Sequence, residues 1–271
     1  MKICLLASGS KGNSVLVESG QTRILVDAGL SAKELRKRLG LVGVEAESLS
    51  ALLITHEHSD HVRGLGPLIR QIGIPVYLQT DLARKLPDVG KPECVREFSE
   101  GEEFSVNDLA IRPFAVTHDA LAPVCFTLAG EAGKVGIATD LGVVTRLVTD
   151  CLQDCRALVL ETNHDEELLR DGPYPWSLKQ RVRSSHGHLS NRAGSALLQQ
   201  LLWDGLETVF LGHLSETNNR SELALAEVNR VLENQNQCAP QIVVGRQNTP
   251  VMWDGSGLST DGDCSSGVVG L

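Results

Sequence analysis

A short segment that is dense in metal-binding side chains constrains the fold of this chain most strongly. The apolar run at residues 51–54 precedes it and predicts a buried strand, and Pro67 behind it suits the first turn of a helix. We therefore expect the segment to form a strand-to-helix loop, where a rigid scaffold directs its side chains at one point. Imidazole and carboxylate groups at this density indicate a metal site. The segment reads His56-Glu57-His58-Ser59-Asp60-His61.

The spacing within this segment predicts two ion sites. His56 and His58 are two positions apart, so an extended backbone turns both rings to the same side. Asp60 and His61 come after the turn and can face a second ion. Two ions close together can clamp the attacking and leaving oxygens of a hydrolysis and generate hydroxide near neutral pH.

Composition restricts the classes to which this chain can belong. Its 271 residues contain 42% hydrophobic residues, enough for a sizeable core. No run of eighteen apolar residues exists and the N-terminus lacks a signal-peptide pattern, so we expect no membrane span. Seven scattered cysteines without a Cys-x-x-Cys pair favour a reduced, cytoplasmic protein. The formal charge of −9 argues mildly against a nucleic-acid partner, although bound cations would offset it locally.

The hydrophobic pattern predicts one α/β domain over residues 1–255. The tail at 256–271 is rich in Gly, Ser and Asp, and we expect it to be mobile. Strands are followed later by alternating helices and strands, which predicts sheets covered by helices. The predicted strands are 3–7, 15–18, 23–27, 51–54, 75–78, 110–116, 124–128, 135–138, 157–160 and 209–211. The predicted helices are 32–39, 143–152, 191–202 and 222–234.

Three further polar residues stand at the ends of predicted strands. His118 ends residues 111–117, Asp140 ends residues 135–139, and His213 ends residues 208–212. Sites in α/β proteins commonly lie at the carboxyl ends of strands. Because the chain has only eight histidines, this repeated placement favours ligands over structural residues. Asp140 is the natural carboxylate to bridge two ions.

The signature His56-x-His58-x-Asp60-His61, followed by His118, Asp140 and His213, resembles the metallo-β-lactamase superfamily. The resemblance implies an αββα sandwich with a dinuclear site at one edge. Some nucleases of the superfamily carry a β-CASP domain between the bridging Asp and the last His. Only 72 residues separate Asp140 from His213 here, so we expect no such insertion.

Further segments resemble the YycJ/WalJ-like group within this superfamily. They include residues 6–14, 25–31, 161–165, 174–177, 187–191 and 212–219. The resemblance implies a metal-dependent 5′-to-3′ exonuclease that acts on DNA through a metal-bound hydroxide. Three alternatives stay open: a hydrolase of a small phosphodiester or a thioester, a tRNA-processing type of endonuclease, and a non-catalytic metal-binding partner of repair proteins.

The resemblance also implies a ligand set for two divalent ions, Zn²⁺ or Mn²⁺. One ion would be held by His56, His58 and His118, with Asp140 shared between the two sites. The other would be held by Asp60, His61 and His213. Asp27 matches an aspartate that orients a ligand imidazole in the family, although an ordinary turn residue before Gly29 is an equal interpretation.

His188 precedes a predicted helix and resembles a histidine of tRNA-processing relatives that helps to protonate the leaving group. Those relatives place a glutamate shortly before the bridging aspartate to orient this histidine, whereas residues 135–139 of this chain contain no acid. Glu161 is therefore the candidate partner of His188. Packing at a helix start is the alternative for His188.

Other residues are candidates for substrate contacts. The loop at 8–13 predicts a cradle of backbone N–H groups for a 5′ phosphate, with a plain hairpin loop as the alternative. Arg183 belongs to a basic run that predicts a rim for the nucleic-acid backbone or a solvated helix face. Tyr174 and Trp176 lie nearby and predict base stacking or core packing. The full set of expected substrate contacts is Ser8, Gly9, Ser10, Asn13, His164, Arg183 and Asn218.

Overall fold

The computed structural model of the protein describes residues 1–86 and 88–255. Within these residues, the strands of the first sheet are β1 (Lys2–Ala7), β2 (Ser14–Ser19), β3 (Thr22–Val26), β4 (Ala51–Leu53), β5 (Val76–Gln79), β6 (Val95–Phe98) and β14 (Val251–Trp253). The strands of the second sheet are β7 (Phe104–Val106), β8 (Leu109–Ala115), β9 (Val124–Gly130), β10 (Gly133–Ala138), β11 (Ala157–Glu161), β12 (Thr208–Gly212) and β13 (Gln241–Val244).

Helices cover the outer face of each sheet. Those of the first half are α1 (Ala32–Leu41), α2 (Ser59–Val62), α3 (Leu65–Ile72) and α4 (Thr80–Lys85), with short 3₁₀ helices at Ala46–Ser48 and Pro92–Cys94. Those of the second half are α5 (Arg146–Leu152), α6 (Glu166–Asp171), α7 (Trp176–Arg183), α8 (Asn191–Leu201) and α9 (Ser221–Glu233).

The two sheets are built alike. The first has the order β14-β1-β2-β3-β4-β5-β6, antiparallel up to β3 and parallel from β3 to β6. The second has the order β13-β12-β11-β10-β9-β8-β7, parallel from β13 to β10 and antiparallel from there to β7. Parallel pairs need crossover connections, which the covering helices supply.

Three apolar clusters fill the three interfaces of this four-layer molecule. Ile3 and Leu5 of β1 point between the sheets, where they join Phe126 and Phe210 of the second sheet. Cys4 and Leu6 of the same strand point to the other side, into the cluster under α1 and α3. The alternation follows from the period of two in a strand. A third cluster packs α5, α8 and α9 on the second sheet.

These layers confirm the expected αββα sandwich. Most boundaries differ from the sequence expectation by one or two residues, and two of the differences bear on the site or on helix capping. The helix expected at 143–152 begins at Arg146, because the Thr145 hydroxyl accepts a hydrogen bond from the backbone N–H of Val148 and so caps it. Asp27 lies just beyond β3 and not within it. The strands β6, β7, β13 and β14 were not expected. The tail predicted at 256–271 lies outside the described residues.

No helix in the described ranges has the length and apolar character that crossing a membrane would require.

Candidate metal centre

Loops from both sheets meet at one edge of the sandwich. The segment from His56 to His61 follows β4, and His118, Asp140 and His213 follow β8, β10 and β12. Strands that run in one direction place their carboxyl ends at one edge of a sheet, so the topology itself gathers these loops. All seven side chains expected to bind metal belong to groups whose donor atoms lie within 4.8 Å of one another.

The first group of donors consists of three imidazoles: His56, His58 and His118. Nδ1 of His58 lies 3.3 Å from Nε2 of His118. The ring centroids of His56 and His118 are 5.0 Å apart. Nε2 of His56 is buried and has no hydrogen-bond partner in the described part of the chain. A buried nitrogen without a partner is unusual, and a cation among these rings would satisfy it.

The second group consists of Asp60, His61 and His213. Oδ2 of Asp60 lies 3.6 Å from Nε2 of His61 and 3.7 Å from Nε2 of His213. Asp60 lies in the first turn of α2 with its carboxylate 21% exposed, whereas the His61 side chain is fully buried. The donor atoms therefore face one another at separations suited to a shared ion.

Asp140 stands between the two groups. Its Oδ2 lies 3.3 Å from Nε2 of His61, and its Oδ1 lies 3.8 Å from Nε2 of His118. Its side chain is 4% exposed, and Oδ2 lacks a hydrogen-bond partner within the described residues. One buried carboxylate thus reaches donors of both groups, as a bridging ligand would.

The electrostatics of this cluster fit a divalent cation. Burial opposes the ionisation of Asp140, but His213 and His61 hold the pKa of this carboxyl well below its usual range. Burial also opposes a charge on His61, yet Asp140 and Asp27 raise the pKa of this ring well above its usual value. Burial lowers the pKa of His56 well below its usual value. Metal ligands must be deprotonated, so a cation would replace the protons that the carboxylates now attract to the rings.

Asp27 and Thr55 fix the orientation of two of the imidazoles. Nδ1 of His61 lies 2.7 Å from Oδ2 of Asp27, which leaves Nε2 for a metal. The hydroxyl of Thr55 lies 2.9 Å from Oδ2 of Asp27 and 2.9 Å from Nδ1 of His56. Thr55 was not expected to take part in the site. Its one signal in the sequence is its position directly before His56.

Two further rings, those of His118 and His213, are oriented by residues from the second half of the chain. Nδ1 of His118 donates to the carbonyl oxygen of Gly187 at 3.1 Å, and its Nε2 faces Nδ1 of His58 within the first donor group. Nδ1 of His213 lies 3.1 Å from Oε1 of Glu161 and 3.1 Å from Oδ1 of Asp140. Partners on the far nitrogen of a ligand histidine fix its tautomer and raise its basicity.

Three site residues have left-handed backbone. The φ angles are 64° at Asp27, 61° at Asp140 and 55° at His213. A non-glycine residue in this region is uncommon and costs free energy, and such residues cluster at functional sites. Each of them directly or closely follows a strand, so the backbone turns sharply there and aims the side chain across the edge.

Replacing Thr55 with Val should weaken metal binding without unfolding the protein. Valine has nearly the same shape, but it leaves Nδ1 of His56 without its hydroxyl partner. Loss of such a supporting contact typically lowers metal affinity by about 10- to 100-fold. Competition with a coloured chelator measures the affinity, and Thr55→Ser is the matched control because it keeps the hydroxyl. Equal affinities in Thr55→Val and wild type would contradict this role.

His188 lies beside the ligands and contacts Glu161. Nδ1 of His188 is 2.8 Å from Oε1 of Glu161 and 3.6 Å from Oδ1 of Asp140. Glu161 is fully buried; burial opposes its ionisation, but His188 and His213 lower its pKa to about 2. The side chain of His188 is 20% exposed. An ionised carboxylate therefore holds one nitrogen of a ring that reaches solvent. The same four residues, Asp140, Glu161, His188 and His213, also form a group with metal-binding spacing.

Five backbone N–H groups of the loop at 8–13 donate within the protein, and the phosphate cradle stays a prediction. The backbone N–H of Gly9 donates to Oδ1 of Asn13, and that of Lys11 donates to Oε1 of Gln247. The N–H groups of Ser8, Gly12 and Asn13 donate to backbone carbonyls. Gln247 also donates to the Gly12 carbonyl. The loop therefore uses these donors to hold itself together, and Gln247, which the sequence did not single out, is part of its support.

Ser8 and Asn13 contact the ligand residues instead. The hydroxyl of Ser8 accepts a hydrogen bond of 2.7 Å from the backbone N–H of His213. Nδ2 of Asn13 lies 3.3 Å from Oδ2 of Asp60 and 3.1 Å from Nε2 of His61. Both side chains are buried, whereas Ser10 is exposed.

The other expected substrate contacts differ in exposure. Asn218 is 1% exposed and its carbonyl oxygen accepts a hydrogen bond from the backbone N–H of Asp165, and its contact with substrate stays a prediction. His164 is 3% exposed, and burial lowers its pKa to about 4. Arg183 is exposed at the end of α7, and Trp176 at its start is 66% exposed, which excludes core packing for this tryptophan.

Comparison with known proteins identifies the family. The family model described as the beta-lactamase superfamily domain matches residues 22–214. The chain is 38% identical over 228 residues to "Exodeoxyribonuclease WalJ" of Streptococcus pneumoniae serotype 2 (strain D39 / NCTC 7466), covering 82% of this chain and 85% of that protein. It is 36% identical over 232 residues to "Exodeoxyribonuclease YycJ" of Bacillus anthracis, covering 84% and 88%.

A solved structure shows the same fold. The metallo-beta-lactamase fold protein YhfI from Bacillus subtilis superimposes with a TM-score of 0.69 at 17% identity, covering 93% of this chain and 99% of that one. The layers, the edge site and these similarities agree. The chain belongs to the metallo-β-lactamase superfamily, in its YycJ/WalJ-like group.

Proposed function

We propose that this protein is a metal-dependent exodeoxyribonuclease that degrades DNA from the 5′ end. The observation that carries the proposal is Asp140, whose buried carboxylate lies against His61 of one donor group and His118 of the other. Relatives that align over most of the chain are named exodeoxyribonucleases, which supports DNA as the substrate. Five imidazoles and two carboxylates suit Zn²⁺ or Mn²⁺.

The chain's own residues provide the rest of the chemistry. When bound, divalent cations polarise phosphoryl oxygens and lower the pKa of water. Asp27, Thr55 and Glu161 hold the rings of His61, His56 and His213 in place, which supports a preorganised centre. His188, held by Glu161 through Nδ1, has its other ring nitrogen left to donate a proton to the departing oxygen.

The opening of the centre is defined by its most exposed side chains. His58 is 28% exposed, Asp60 21% and His188 20%. The side chains of the five remaining metal ligands are at most 4% exposed; they are His56, His61, His118, Asp140 and His213. We call the surface around His58, Asp60 and His188 the mouth. A phosphodiester that enters through the mouth meets His188 directly, which supports its role in proton transfer.

We also propose that the protein works in a reducing compartment such as the cytoplasm. Six cysteines in the described residues are free thiols, and five of these are buried. Burial raises the pKa of Cys155 to about 12, so this thiol is unreactive at neutral pH.

A substrate panel tests the activity. The panel contains end-labelled single- and double-stranded DNA, RNA, a cyclic phosphodiester and a thioester. The wild-type protein is assayed after reconstitution with Zn²⁺ or with Mn²⁺, and metal analysis reports which ion is retained. We expect DNA to be shortened stepwise, with release of mononucleotides from the 5′ end. Fast turnover of a small ester with intact DNA would overturn the proposal in favour of a small-molecule hydrolase, and internal cuts in RNA would favour a processing endonuclease.

A further inference from the structure

An open cleft of about 530 Å³ lies beside the mouth. Glu57 and Ser59, which alternate with the ligands His56, His58 and Asp60, form one of its walls. The backbone N–H of Leu121 donates to Oε1 of Glu57 at 2.9 Å, which fixes the loop after His118 against the ligand segment. Because Glu57 and Ser59 are the chain neighbours of His58, the cleft and the mouth share the ligand segment.

The cleft has an apolar floor and cationic edges. Val62, Leu86 and Leu121 line it, and Leu121 is 47% exposed. Arg63 and Lys85 also line it, and both are exposed. Neither of these cations pairs with a carboxylate in the described ranges, whereas the neighbouring Arg84 pairs with Asp81 and Arg70 pairs with Asp88. Within the described residues, the guanidinium of Arg63 donates to the carbonyl oxygen of Lys11 at 3.3 Å.

This combination suits a single nucleic-acid strand. The chain has a net charge of −9, which disfavours the binding of polyanions in general. Two cations without acidic partners make the cleft locally favourable for phosphate groups. Arginine and lysine neutralise phosphates, while apolar side chains shield the faces of unpaired bases from water. The cleft also contains the negative charge of Glu57, but with Arg63 and Lys85 its net charge is positive.

We propose that this cleft binds the substrate strand on the 3′ side of the bond being cut. The inference rests on the proposed function, because an exonuclease that starts at the 5′ end must guide the remaining strand away from its centre. Arg63 and Lys85 would contact successive phosphates, and Leu121 would contact a base. An open cleft next to the mouth provides that exit, and it favours a single-stranded segment over a rigid duplex.

Charge reversal tests the cationic edge. Lys85→Glu should raise the Kd for a phosphorothioate 20-nucleotide single strand about threefold to tenfold, measured by fluorescence anisotropy with the full-length, metal-loaded protein. The slope of log K against log salt should fall by about 0.7, the value of one phosphate contact on a single strand. Arg84→Glu is the matched control, because it changes the same charge one residue away in the same helix. Equal effects of the two substitutions on Kd and on the salt slope would overturn the proposal that the cleft binds the strand.

Photocrosslinking tests the same surface without relying on affinity. Leu121 is replaced by p-benzoylphenylalanine, and Leu147 is replaced in the same way as the control. Leu121 is 47% exposed and Leu147, on α5, is 45% exposed, so the two probes are equally accessible. Irradiation with labelled single-stranded DNA should give a crosslink at position 121 at least about fivefold stronger than at position 147.

The outcomes separate this inference from the proposed function. If the wild-type protein degrades DNA but position 121 gives no preferential crosslink, the proposal for the cleft is overturned and the proposed exonuclease activity stands. A strong crosslink at 121 in a protein that degrades no DNA overturns the exonuclease and supports the cleft as a nucleic-acid site. Preferential crosslinking together with degradation supports both.

Discussion

Asp60→Ala should lose one metal ion and nearly all turnover. Oδ2 of Asp60 faces Nε2 of His61 and Nε2 of His213, and it is the one carboxylate of the second donor group. Without it, two imidazoles and the shared Asp140 must hold the second ion, and the site loses a negative charge that attracts a cation. We expect turnover to fall by at least about 10³-fold, since the transition-state stabilisation by one ion disappears.

Metal content per chain, measured by plasma mass spectrometry after gel filtration, checks this prediction alongside the rate on labelled DNA. Asp88→Ala is the matched control. Asp88 is an aspartate outside the centre, and its side chain contacts Arg70 and the backbone N–H of Gly90. The control should keep both ions and its activity. Two tightly held ions in Asp60→Ala would contradict the ligand assignment.

His188→Ala should keep both ions but lose about 10²- to 10⁴-fold in turnover of DNA. The ring contacts Glu161 at 2.8 Å and is part of the mouth, so we assign it to the substrate and not to the metals. The loss should shrink on a nitrophenyl phosphodiester, whose leaving oxygen needs no proton. This dependence on the leaving group separates proton transfer from a general loss of structure.

His186→Ala is the control for His188, because His186 is an exposed histidine two residues away. Its ring lies 3.1 Å from the Ser185 hydroxyl, and the variant should behave like wild type. If His188→Ala loses an ion, then the group of Asp140, Glu161, His188 and His213 is a true ligand set and the seven-ligand assignment fails. If it retains full activity on DNA, His188 serves packing at the start of α8.

The sequence was sufficient for the fold class and for the position of the metal donors. Both depend on local patterns. Apolar runs predict the strands, and His118, Asp140 and His213 lie just after those runs end. The short ligand segment and its resemblance to a family then indicated which strands must converge. Parallel strands gather such ends without further information.

The supporting contacts were less accessible, because they join residues that are far apart in the chain. The role of Thr55 depends on Asp27, 28 positions away, and the loop at 8–13 is closed by Gln247, 236 positions from Lys11. The backbone N–H of Lys11 in that loop donates to Gln247, a partner that no local pattern reveals. The strand β14 pairs with β1 from the opposite end of the described chain, and its three residues carry too little pattern to predict.

The two halves of the sandwich contribute unequally to each donor group, and this has a mechanical consequence. His56 and His58 come from the first sheet and His118 from the second, just as Asp60 and His61 come from the first and His213 from the second. Each ion would therefore bind side chains from both sheets at once. The two sheets could not separate at this edge while the ion is bound. Binding to the folded state alone stabilises a protein by about 4 kcal/mol when free ligand is roughly 1,000 times its Kd. Removal of the ions by a chelator would thus lower the free energy of unfolding and weaken the contact between the two sheets at this edge first. Ions that serve catalysis would then also stabilise the fold.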